Sequence, residues 1–116
     1  MAQIRVKRVY EEAGEEDGLR VLVDRLWPRG VSKERARLDH WLKEIAPSNG
    51  LRVDFHSGVL DFEAFGERYR SELEGNPAVE ELRGLVEGAE VVTLLYGSRD
   101  EERNHARVLR EFLGEG

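Results

Sequence analysis

Two short stretches concentrate the residue types that hold or transform polar ligands. One is Asp24-Arg25-Leu26-Trp27-Pro28-Arg29-Gly30, directly after the apolar run 19–23; the other is Gly97-Ser98-Arg99-Asp100, leading into Asn104-His105, directly after the apolar run 91–96. Arg25, Arg29 and Arg99 carry planar donor forks suited to phosphate or carboxylate. Gly97-Ser98 precedes a helical pattern whose first N–H groups also favour negative charge. His105, near the positive end of that helix, is a candidate general base, and Asp24, emerging from an apolar strand, is its candidate carboxylate partner. Ser98, Asn104, Trp27 and Tyr69 complete the candidate binding set. Each has a structural alternative: Arg25 pairing with Asp24 or a helix carboxylate, Arg99 with Asp100 or Glu102, Arg29 solvated, His105 bonded to a backbone carbonyl, Trp27 packed in a pocket wall, and Tyr69 buried with its hydroxyl bonded.

The elements that must position these residues follow from periodicity. Residues 3–9 alternate as a half-buried strand, 19–23 read as a central strand covered on both faces, and 91–96 are the most strongly β sequence of the chain. The acidic segment 10–18 reads as a surface loop. Ser32 caps a short turn through Arg37, and Leu38, Trp41, Leu42 and Ile45 recur at helical spacing until Pro47. Helical patterns return at 61–74 and after Asn76-Pro77, where Asn suits the N-cap, Pro the first turn, and Gly88 the close. A last helix follows Asp100, the expected cap, with Ala106, Leu109, Phe112 and Leu113 on its apolar face.

A long helical crossover between strands 19–23 and 91–96 makes them parallel neighbours. The first strand is expected to be parallel to the second. The expected fold is α/β: one small layered domain over residues 1–116, a short, mostly parallel sheet of about three strands flanked by four to five helices. In such sheets ligands bind beyond the carboxyl ends of the strands, where both stretches fall.

Composition sets the outer bounds. The net charge of −6 opposes bulk adhesion to nucleic acid or anionic membrane. The chain has no cysteine, which excludes disulfides, thiolate metal sites and cysteine nucleophiles. The histidines at 40, 56 and 105 have no metal-ligand spacing, and neither a metal nor a cofactor is expected. No stretch approaches the roughly 18 apolar residues of a membrane span, and residues 1–12 lack a leader's apolar core. A cytoplasmic monomer or small homo-oligomer is the expectation. Fifteen arginines against three lysines suit a thermophile or a GC-rich genome.

The segments VLVDRLWPRGVSKE, DHWLKEIAPS, RYRSEL and TLLYGSRDEERNHARVL resemble, nearly end to end, the YeaO-like branch of the uncharacterised domain family numbered 488. The resemblance marks Asp24, Arg25, Trp27, Pro28, Arg29, Gly30, Lys43, Ser48, Arg68, Tyr69, Asp100, Asn104 and His105 as motif positions, and implies no established reaction. It also implies two departures. Broader relatives carry a helix between the first two strands, for which residues 10–18 are too few, and a Cys-His-Arg where this chain has Asn104-His105-Ala106, so any thiol chemistry of theirs is excluded.

Three readings stay open. The first is a protein that binds or acts on an anionic small molecule, as a metal-independent hydrolase or transferase if an enzyme. The second is a nucleic-acid-associated module using the same arginines and Trp27. The third is a non-catalytic interaction protein.

Overall fold

The computed structural model describes residues 2–114. Strands β1 (Gln3–Arg8), β2 (Leu19–Leu22), β3 (His40–Trp41) and β4 (Val91–Tyr96) form one sheet in the order β1-β4-β2-β3, every neighbouring pair parallel. With them go helices α1 (Lys33–Ala36), α2 (Asn49–His56), α3 (Phe62–Glu74), α4 (Ala78–Glu87) and α5 (His105–Gly114). β2 and β4 are parallel neighbours, as the crossover requires. β1 is parallel to β2 as well, but β4 lies between them.

The sheet has four strands rather than about three, because residues 38–45 are not a helix. The Asp39 N–H donates to Arg20 O at 2.9 Å and the Leu42 N–H to Leu22 O at 3.0 Å, so the chain adds β3 to the edge of β2. A 3-10 turn, Lys43–Ile45, follows. Leu38 and Trp41 pack on one face of the sheet while Ile45 enters the core on the other, so residues spaced like a helix stripe serve opposite faces. The sequence pattern also passed over α2, whose start is set by the Ser48 hydroxyl accepting the Leu51 N–H at 3.3 Å.

Strand alternation divides the molecule into layers. Val21, Val23, Val92, Leu94 and Tyr96 face the helices, meeting Phe65, Tyr69 and Leu73 of α3, Leu82 of α4 and Leu109 of α5 in one core. Leu22 and Leu95 face the other way, under Val9, Tyr10, Trp27, Leu38 and Trp41. That second face has loops for cover where the first has helices.

The β1–β2 connection holds itself to this loop-covered face by a buried polar cluster. Asp17 and Arg20, 1% and 4% exposed, form an ion pair that Lys7 joins at 3.1 Å. Arg20 also donates to Ala36 O through Nε and Nη2, at 3.0 and 2.7 Å. Gly18, at φ 63°, lets the chain turn into β2 close beside the start of β4; a Cβ there would stand 2.3 Å from Val91 O.

Candidate functional site

β2 and β4 end level with each other. The Val23 N–H donates to Leu95 O at 3.0 Å, which brings Asp24 beside Gly97. The Gly97 N–H donates to Asp24 Oδ2 at 2.8 Å, and a Cβ on Gly97 would come within 3.0 Å of that oxygen. On the other side the Trp41 indole N–H donates to Asp24 O at 2.7 Å, so the loop-covered face also fixes this residue.

α5 starts later than its sequence pattern suggests. Asp100 caps a turn: its Oδ1 accepts the N–H groups of Glu102 and Arg103, both at 2.9 Å, and these bonds hold its carboxyl below the ordinary carboxylate range. Asn104 is the residue that opens α5, its Oδ1 accepting the Arg107 N–H at 3.1 Å while its Nδ2 donates to Asp100 O at 2.9 Å. His105 is therefore the first residue of α5, nearer its start than a cap at Asp100 would place it.

From there the imidazole reaches across to the end of β2. Nε2 lies 3.0 Å from Val23 O and 3.0 Å from Asp24 Oδ1. The hydrogen-bond geometry favours the carbonyl, and Asp24 Oδ1 is left buried without a hydrogen-bond partner. The ring edge meets Tyr69, with centroids 6.2 Å apart.

Asp24, Arg25, Trp27, Ser98, Asn104 and His105 line one cavity of about 280 Å³ at the strand ends. Six of the nine expected site residues thus share one concavity. Arg25 donates from Nη2 to Ala46 O at 3.2 Å, but its Nε is buried without a hydrogen-bond partner. Trp27 donates its indole N–H to Val31 O at 2.7 Å and meets Trp41 edge-on at 5.4 Å. The Ser98 hydroxyl accepts the Asp100 N–H at 3.2 Å.

The other three residues stand elsewhere. Arg29 and Arg99 are exposed and lie outside the cavity lining. Tyr69 lies in the core, its hydroxyl donating to Ile45 O at 2.7 Å, and burial pushes its phenol well above the usual tyrosine range. In place of Arg29 and Arg99 the cavity takes Arg52 from α2 and Arg103 from the turn before α5, with Tyr10, Phe55, His56 and Phe65 on its walls. Arg103 was legible as the residue four positions beyond Arg99 on the same approach to the last helix; Arg52 and Phe55 depended on recognising α2. Among the described residues no three of His, Asp and Glu are grouped as metal ligands. Nor is any helix long and apolar enough to cross a membrane.

The model of a family described as the inactive DUF488-N3 subclade matches residues 3–116. The chain is similar to the uncharacterized protein YeaO of Escherichia coli (strain K12), at 44% identity over 110 residues, which cover 95% of this chain and 96% of that protein. It is similar also to the uncharacterized proteins Mb3100c of Mycobacterium bovis and MT3158 of Mycobacterium tuberculosis. Each is 44% identical over 111 residues, covering 96% of this chain and 93% of the relative. No solved structure matches the chain.

Proposed function

Because this chain belongs to the inactive DUF488-N3 subclade, we propose that it recognises an anionic small molecule, bearing phosphate or carboxylate, without converting it. The observation that carries the reading is the Arg25 guanidinium. It lines the cavity with its Nη1 3.9 Å from the exposed Glu44 carboxylate and its Nε buried without a hydrogen-bond partner, so the fold answers its charge only loosely. Arg52 and Arg103 add positive charge to the same cavity in a chain of net charge −6, which concentrates anion affinity at one place.

Recognition is favoured over conversion because the fold engages most of the groups that would carry a reaction. The Ser98 hydroxyl caps a turn, Asn104 opens α5, and the His105 Nε2 is directed at a main-chain carbonyl. Asp24 ties β2 to β4 through its Oδ2 and the Gly97 N–H, with Oδ1 lying 3.0 Å from His105 Nε2. Among the described lining residues, the arginines are the groups best able to answer a ligand's charge.

The test is ligand-dependent thermal stabilisation with inorganic phosphate, sugar phosphates, nucleotides, simple carboxylates and a short oligonucleotide. A ligand at a hundred times its Kd adds about 2.7 kcal/mol to stability. Arg103→Ala, at an exposed position, should weaken binding about tenfold or more, as loss of a charged hydrogen bond does. Arg29→Ala and Arg99→Ala should leave it unchanged. Equal loss in all three variants, or stabilisation by the oligonucleotide alone, would refute the assignment to this cavity.

A further inference from the structure

Resting on that reading, we infer that the ligand is an aromatic acid with a single anionic group: one flat ring system, single or fused, bearing one carboxylate or phosphate. The walls carry this inference. Tyr10, Trp27, Phe55 and Phe65 line the cavity, and they are held rigidly. Phe55 stacks on Phe65 with centroids 4.4 Å apart, Phe65 stacks in turn on the buried Tyr69 at 5.9 Å, and Trp27 is braced by Trp41. Fixed aromatic faces favour a flat partner, offset-stacked or edge-on, at little cost in side-chain ordering.

The polar groups of the same walls argue against a sugar phosphate. A polyol must exchange its water shell for hydrogen bonds from neutral donors and acceptors. Here the Trp27 N–H is held by Val31 O and the Tyr10 hydroxyl donates to Arg29 O at 3.0 Å. Ser98 and Asn104 are occupied at the start of α5. The charged side chains of the lining are mainly cationic, Arg25, Arg52 and Arg103 against Asp24. An apolar wall with a cationic margin is complementary to an apolar body with one charged end.

Size narrows the class further. A cavity of about 280 Å³ lies at the bottom of the roughly 300–1,000 Å³ range of ligand sites. It suits one ring system with its acid group and is too small for a dinucleotide.

Isothermal titration of the full chain with four probes separates the outcomes: phenyl phosphate, indole-3-carboxylate, inorganic phosphate and neutral indole. The expected result is binding of phenyl phosphate or indole-3-carboxylate at least tenfold tighter than inorganic phosphate and than indole, with whichever acid binds better identifying the head group. Arg103→Ala should weaken that binding tenfold or more. Phe55→Leu, which removes a wall ring and keeps an apolar side chain, should weaken the aromatic acids severalfold and leave inorganic phosphate unchanged. If inorganic phosphate binds as tightly as the aromatic acids, this inference fails and the anion site stands. If indole binds as tightly as its acid, or none of the four binds, the anion site fails with it.

Discussion

Replacing Asp17 by alanine should destabilise the fold by about 3 kcal/mol, although Asp17 lies in a loop of acidic surface sequence. Its carboxylate, 1% exposed, takes the Gly14 N–H at 3.0 Å, Lys7 at 3.1 Å and the Arg20 guanidinium. Without it Arg20 remains buried with no counter-charge, a situation that typically costs about 3–5 kcal/mol. The lower figure applies because Arg20 keeps its two bonds to Ala36 O. With an unfolding entropy of about 2.1 cal/mol/K per residue, the Tm should fall by about 12 °C, measured by circular dichroism. Arg20→Met alone should also be costly, and the double variant should lose at least about 1.5 kcal/mol less than the two singles together.

The same residue predicts an acid dependence. Burial by itself would raise the Asp17 carboxyl, but the Gly14 N–H, Lys7 and Arg20 outweigh it and hold the group below the ordinary carboxylate range. A folded value below the unfolded one, which is about 4, means that ionised Asp17 stabilises the fold above pH 4. That contribution disappears as pH falls through the folded value. The stability difference between the native chain and Asp17→Asn should therefore be full near neutrality and narrow below pH 4. A cost under 1 kcal/mol for Asp17→Ala, additive double-variant losses, or a gap that widens in acid would refute the reasoning.

Gly18→Ala should cost more than about 2 kcal/mol in urea unfolding, since it combines a left-handed backbone with a Cβ 2.3 Å from Val91 O. Tyr69→Phe strands the Ile45 carbonyl in the core and should cost about 1–3 kcal/mol; a neutral substitution would mean that water replaces the hydroxyl. His105→Ala removes the donor to Val23 O and should cost about 1–2 kcal/mol by the same measurement, whereas His105→Gln, which retains a donor, should recover part of the loss.

The parallel pairing of β2 with β4 was legible because both runs are apolar and the chain between them is long and helical. The cap at Ser32 was legible from residue type, its side chain accepting the Arg35 N–H, as was Asn76 near the start of α4, where it accepts the Ala78 N–H one residue ahead of the Pro77 cap. β3 was not, because an edge strand of two residues is specified by the carbonyls of β2 and leaves no period of its own. Asp17 read as solvated since nothing local shows that Arg20, three residues on in a strand, turns back to it. At the site, Asp24, Arg25 and His105 were legible from their places at strand ends. Arg52 and Phe55 were not, because a helix of eight residues brings them there from the middle of the crossover.

The most direct test of the anion site is an NMR titration of the nitrogen-15-labelled chain with phenyl phosphate, following the Arg25 Nε–H and the Gly97, Ser98 and His105 amides. These signals should shift together and saturate along one binding curve, with the Arg29 and Arg99 amides nearly still. Shifts that spread over the charged surface without saturating, or that leave the Arg25 Nε–H unmoved, would contradict it.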